Sequence, residues 1–178
     1  MTKTQLEQPT VLPLFTNKIF SLLFLPLRVW VGWDWVTASL HKITNPAWME
    51  TGLALKGYWV KAVMVNASGS GAISFDWYRA FLQSMLDANA FVWFGKLIAC
   101  GEMMVGIALI AGAFVGAAAF FGALMNWNFM MAGTASTNPM MFLVEIFLIL
   151  GWRVAGYIGA DYFLLGWVQS FWRKFKPR

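Results

Sequence analysis

The chain has 178 residues, 60% of them hydrophobic and only 12% charged, whereas soluble domains run about 25% charged and about 45–50% apolar; this excludes an ordinary water-soluble domain and fits one domain solvated by lipid. The net charge of +5 does not describe a nucleic-acid binder, because the basic residues form no aromatic-interleaved stripe and Arg173, Lys174, Lys176 and Arg178 gather instead as an anchor at anionic head groups. A lone cysteine, Cys100, excludes an intrachain disulfide or iron–sulfur site, and a lone histidine, His41, excludes a two-histidine haem site, so no metal or haem is predicted from this chain.

Residues 1–19 are polar, contain Pro9 and Pro13, and lack the pattern of a cleaved signal peptide, so the first apolar stretch is expected to remain. Four segments carry the roughly 20 apolar residues needed to cross about 30 Å of hydrocarbon, at about 19–41, 91–112, 114–132 and 140–159. The predicted fold is all-α: an integral membrane four-helix bundle forming a single domain over 1–178. Between spans 1 and 2 an extramembrane helical cap is expected at 42–90, with helical spacing over 50–64 and 75–87 and a flexible turn at 66–71, NASGSG. The very short link between spans 2 and 3 makes them antiparallel neighbours. Residues 133–139, GTASTNP, form a polar turn, and 162–173 fit a C-terminal interfacial helix within a tail at 160–178. The basic tail and Lys18 place both termini in the cytoplasm of a multi-pass inner (plasma) membrane protein. The 11 tryptophans suit the membrane interface and also stacking on flat ligands.

Ionisable groups inside spans cost several kcal/mol each unless paired or hydrated, so each marks a candidate site. Counted at about 1.5 Å per residue, Arg28, Arg153 and Glu102 form an inner layer, and Asp34, Glu145, Asn128 and Lys96 an outer one. Stripes of small residues on spans 2 and 3 carry Glu102 and Asn126 toward the bundle interior. The bland alternatives are that Arg28, Arg153 and Lys96 snorkel to head groups and that Glu102 and Glu145 are structural counterions. A pocket with indole walls and buried carboxylates suits a quinone: Asp34, Glu102 and Glu145 are the predicted proton-handling residues, and Arg28, Trp35, His41, Lys42, Asn126, Asn128 and Arg153 the predicted binding residues.

Arg28, Gly32-Trp33-x-Trp35, His41-Lys42, Pro46-x-Trp48 and Leu55-Lys56-Gly57 together resemble the opening of the DoxD/DoxX membrane family. Gly101-Glu102, Gly106, Asn126-x-Asn128-Phe129, GTASTNP, Trp152-Arg153-x-Ala155-Gly156 and Asp161 extend the resemblance over about residues 20–161. It implies a four-helix subunit of thiosulfate:quinone oxidoreductase type, which joins two thiosulfates into tetrathionate and reduces a membrane quinone beside a DoxA-like partner subunit. Two other readings stay open. One is a non-catalytic subunit of a larger respiratory or photosynthetic complex, its Trp-rich faces meeting neighbours. The other is a small anion or proton transporter, suggested by the buried arginines.

Overall fold

A computed structural model describes residues 12–67, 69–164 and 166. The described residues are all-helical apart from an isolated antiparallel bridge between Val65 and Gly71. Two 3-10 turns, Pro13–Phe15 and Lys18–Phe20, lead into α1, Ser21–Ile43. Then follow α2 (Pro46–Met49), α3 (Leu53–Val63) and α4 (Asp76–Asp87). Asn45 starts α2 as its side chain accepts from the Ala47 N–H at 2.9 Å, with Pro46 at the first helical position, where a missing N–H is harmless. Three longer helices follow, α5 (Phe91–Ala111), α6 (Val115–Met131) and α7 (Asn138–Leu150), then the short turn α8 (Trp152–Ala155), with helical backbone again at 161–164. The segment Lys18–Ile43 and α5 are long and apolar enough to cross a membrane; α6 and α7 are apolar but shorter.

The expected spans at 19–41, 91–112 and 114–132 coincide with α1, α5 and α6 within two residues. The expected fourth span at 140–159 does not. Helix α7 stops at Leu150, Gly151 interrupts it, and α8 adds only one turn. The chain turns back at Gly156, where a Cβ would sit 2.6 Å from Asp161 Oδ2. Asp161 is held by the start of α6: its carboxylate accepts from the Phe114 N–H at 2.6 Å and the Val115 N–H at 2.9 Å. Those amides have no partner within their own helix, so satisfying them bends the chain where a regular helix was expected. Most of the expected interfacial helix at 162–173 lies outside the described residues.

One core cluster lies where α1, α5, α6 and α7 meet, built on Val31, Trp35, Leu109, Ala119 and Leu148. A second lies beneath α3 and α4, on Leu55, Trp59, Ile73, Tyr78 and Phe91. Between the long helices small and polar residues are buried beside larger apolar ones, and many other large apolar side chains point away. On α5, Gly95, Ala99, Glu102 and Gly106 are buried with Phe91, Val105 and Leu109, whereas Leu97, Met104, Ile107 and Ile110 are exposed.

α1 and α5 approach most closely at a pair of glycines. A Cβ on Gly32 would lie 2.9 Å from the Gly106 carbonyl oxygen, and one on Gly106 would lie 2.8 Å from that of Gly32. Backbone cannot yield as a side chain can, so any larger residue must push the helices apart. Gly106→Val is therefore expected to destabilise the protein by about 1–3 kcal/mol in reversible denaturant unfolding in micelles. Gly57→Ala, at a position with nothing within 4 Å of the added carbon, should unfold like the parent.

Candidate ligand site

The register set by the glycine pair carries the last turns of α1 past the first half of α5. Ser39 donates to the Ala99 carbonyl at 2.7 Å. One turn on, Lys42 Nζ reaches both oxygens of Glu102, at 2.9 and 2.7 Å. Glu102 is 1% exposed and the lysine side chain 16%, so the pair is shut from bulk water at the carboxylate end and open at the ammonium end. Lys42 also lies 5.3 Å from the centroid of Trp48 and 6.0 Å from that of Phe129, both within cation–π range.

This pair lines a cavity of about 490 Å³, within the range of small-molecule sites. Its aromatic walls are Trp35, Trp48, Tyr58 and Phe129. Asp34, half-buried, and His41, exposed, line it with Lys42 and Glu102. Thr134, Ser136 and Thr137 of the α6–α7 connection and Asn138 at the start of α7 add polar groups. Tyr58 ties α3 to that connection, its hydroxyl 2.9 Å from Thr134 Oγ1.

Behind the cavity Trp35 is fixed from the other side. Its indole N–H donates to Glu145 Oε1 at 2.7 Å, and the Asn126 amide donates to Glu145 Oε2 at 2.7 Å. Glu145 and Asn126 are both fully buried, and Asn126 Oδ1 has no hydrogen-bond partner. No ion pair joins Glu145 to a cation among the described residues; two neutral donors hold it. Gly122 makes the room, since a Cβ there would overlap Glu145 Oε1 and lie 3.1 Å from the Trp35 nitrogen.

Of the predicted residues, the structure brings Asp34, Trp35, His41, Lys42 and Glu102 together. Glu145 and Asn126 sit one layer back and reach the cavity through Trp35. Asn128 belongs to the neighbouring groove, where it accepts from Tyr78 and donates to the Leu124 carbonyl at 2.8 Å. The expected inner layer of two arginines with Glu102 is not formed. Arg28 is buried on α1 and donates to the carbonyls of Ala155, which ends α8, and of Ile158, in the turned-back segment after it, each at 2.8 Å. Arg153 is exposed and lies over its neighbour Trp152 at 5.1 Å. Neither arginine lines the cavity, and Lys96 is exposed. Trp48, Tyr58 and the hydroxyls of the GTASTNP turn were not singled out as site residues. Three side-chain hydroxyls in five residues were the available signal, but their aim depends on the turn itself, in which Ser136 takes a φ of +43°.

An apolar groove of about 420 Å³ runs between α5 and α6, roofed by α3 and α4. Tyr78 in α4 donates at its edge to the Asn128 carbonyl and side-chain oxygens, both at 3.1 Å.

No family model, curated protein or solved structure matches this chain. No three His, Cys, Asp or Glu side chains converge as a metal-ligand set among the described residues.

Trp35→Phe removes one of the two donors on a fully buried carboxylate and should destabilise the protein by about 1–3 kcal/mol, read by unfolding in micelles. Burial, reinforced by Tyr58, pushes the Tyr78 phenol up to about 12, against about 10 in an unfolded chain. A folded value above the unfolded one means the native state holds this proton more tightly. Its contribution to stability is complete below pH ~10 and disappears as pH rises through the folded value. A denaturation series should show wild type weakening over that window and Tyr78→Phe weakening less.

Proposed function

We propose that the chain is a multi-pass protein of the cell inner membrane. In this reading α1, α5, α6 and α7 with α8 form a four-helix membrane bundle, α2–α4 form the cap, and both termini face the cytoplasm. The exposed apolar surface supports it: Leu22, Trp33, Met104, Phe121 and Leu143 lie exposed on four different helices, while glycines, alanines and hydrogen-bonded polar groups share the contacts with the apolar core, as expected where lipid solvates the outside.

Within that bundle we propose that the cavity takes the ring of a membrane quinone, in a DoxD-like subunit that couples an outer-face reductant, with thiosulfate the leading candidate, to quinone reduction. The observation that carries this reading is the Lys42–Glu102 pair at a cavity walled by four aromatic rings. The rings supply flat apolar partners, Lys42 a cation for a developing quinone oxyanion, and Glu102, Asp34 and His41 groups able to hold a proton. The reaction balances: two thiosulfates lose one electron each as their terminal sulfurs join in tetrathionate, and the quinone takes both electrons and two protons to become the quinol. Electrons pass directly from sulfur to quinone or through a DoxA-like partner subunit. Glu145, set back from the cavity, acts here as a positioning residue for the Trp35 indole rather than a proton donor.

The test is thiosulfate-dependent reduction of decylubiquinone in proteoliposomes. Glu102→Gln, which keeps an acceptor for Lys42 but no proton to give, should lower kcat by about 100-fold, the usual scale of general acid catalysis. Arg153→Gln, away from the cavity, should match wild type. A well-folded wild-type protein that neither binds nor reduces the quinone would end this reading. Exposed Trp30, Trp33, Trp93 and Trp127 favour, second, an accessory subunit of a larger complex; migration of the gently extracted protein as a lone small particle on native gels would remove it.

A further inference from the structure

The polar cavity and the apolar groove share a boundary. Tyr58 and Phe129 line both, and their rings meet edge-on with centroids 6.4 Å apart. The groove's remaining lining is apolar save for Tyr78, Asn128 and the Trp59 indole N–H, and three of its polar side chains have partners within the protein: Tyr58 with Thr134, Tyr78 with Asn128, and Asn128 with the Leu124 carbonyl. Such a lining offers a polar ligand little. The α5 wall from Phe94 to Val105 covers eleven steps along the helix, about 16 Å at 1.5 Å each. Leu97 and Met104 on α5, and Phe121 and Leu124 on α6, are exposed along the groove's open side. The space suits a flexible hydrocarbon chain that enters sideways.

The polar end says which chain. An anionic phospholipid head would have to draw Lys42, the one lysine lining the cavity among the described residues, away from Glu102 and leave that carboxylate buried without its cation. A neutral ring bearing acceptor oxygens meets no such objection. We infer that the groove is the tail site of the ligand whose ring enters the polar cavity: a prenyl or alkyl chain crosses the Tyr58–Phe129 boundary, follows α5 and α6, and leaves into the bilayer between them. This rests on the quinone reading and adds the tail site and the lateral route.

The route can be blocked without touching the ring site. Gly101 lines the groove, and a Cβ there would meet only Met125 Sδ, at an ordinary 3.8 Å, so Gly101→Leu fills the groove at no backbone cost. The probe is a benzoquinone carrying an alkyl chain with a terminal diazirine, photolysed with the protein in nanodiscs, the adducts being located by mass spectrometry. A phospholipid with the same diazirine chain is the control, and tryptophan quenching by a tailless benzoquinone reports the ring site. Adducts should concentrate on Leu97, Met104, Phe121 and Leu124, and excess decylubiquinone should chase them. In Gly101→Leu they should fall about tenfold, a free-energy change of about 1.4 kcal/mol, while quenching by the tailless ring stays at the wild-type level. The wild-type adduct map and its chase decide the matter by themselves if that variant proves unstable. Adducts equally dense on Ile107, Ile110 and Leu143, or groove adducts given by the phospholipid and not chased by decylubiquinone, would overturn the tail site. Tailless-ring quenching that persists in that case leaves the quinone reading standing. If neither tailed nor tailless quinone binds, the ring reading fails and the tail site with it.

Discussion

The contact between Gly32 and Gly106 governs what the rest of the molecule can be. With a carbonyl oxygen of each helix at the other's missing Cβ, α1 and α5 lie as near as backbones allow, and their register leaves no room to slide. Two turns further along α1, that register delivers Ser39 to the Ala99 carbonyl; three residues beyond, it delivers Lys42 to Glu102. Each of these interactions is short-ranged. A separation of the two axes by the width of a methyl group would leave Glu102 buried with no cation, a state far more costly than the pair. The glycines therefore act on the cavity without lining it.

Four buried charged groups are accommodated in three ways, and the differences bear on what each can do. Glu102 has a full counter-charge that is itself partly open to the cavity, so a ligand can compete for Lys42 or take a proton from the pair. Glu145 has only the Trp35 and Asn126 N–H groups. Its surroundings favour a fixed geometry, which suits holding an indole in place. Arg28 donates to the carbonyl that ends α8 and to one in the segment after it, while Asp161 of that segment accepts from the amides at the start of α6. Together they fasten the end of the described chain to α1 and to the α5–α6 turn. Gly112 and Gly159 permit it, because a Cβ on either would run into the Arg28 guanidinium.

Helices α2 and α3 give the cavity one of its walls. Trp48 and Tyr58 come from α2 and α3, whose placement is secured by Leu55 and Trp59 in the second core and by the Tyr58–Thr134 and Tyr78–Asn128 hydrogen bonds. These bonds cross from α3 and α4 to the α6 end, so the polar cavity and the apolar groove are bounded by the same few side chains.

Composition and hydrophobic spacing determined the helical class, the extents of α1, α5 and α6, the inward faces of α5 and α6, and the burial of Glu102, Asn126 and Glu145. These follow from local rules: a helix repeats every 3.6 residues, and small residues mark where helices meet. Partner choice was decided only by the tertiary structure. Depth counting along separate helices put Glu102 with the arginines; in the folded chain it meets Lys42, because a lysine stem spans more than a turn and points back along its helix. Arg28 found carbonyls at the end of α8 and in the segment that turns back after it, and Arg153 emerged on the outer face because α7 ends at Gly151. The hydroxyl-bearing turn and the aromatics of α2 and α3 joined the cavity through contacts between residues some 70 positions apart in sequence, a distance over which periodicity carries no information.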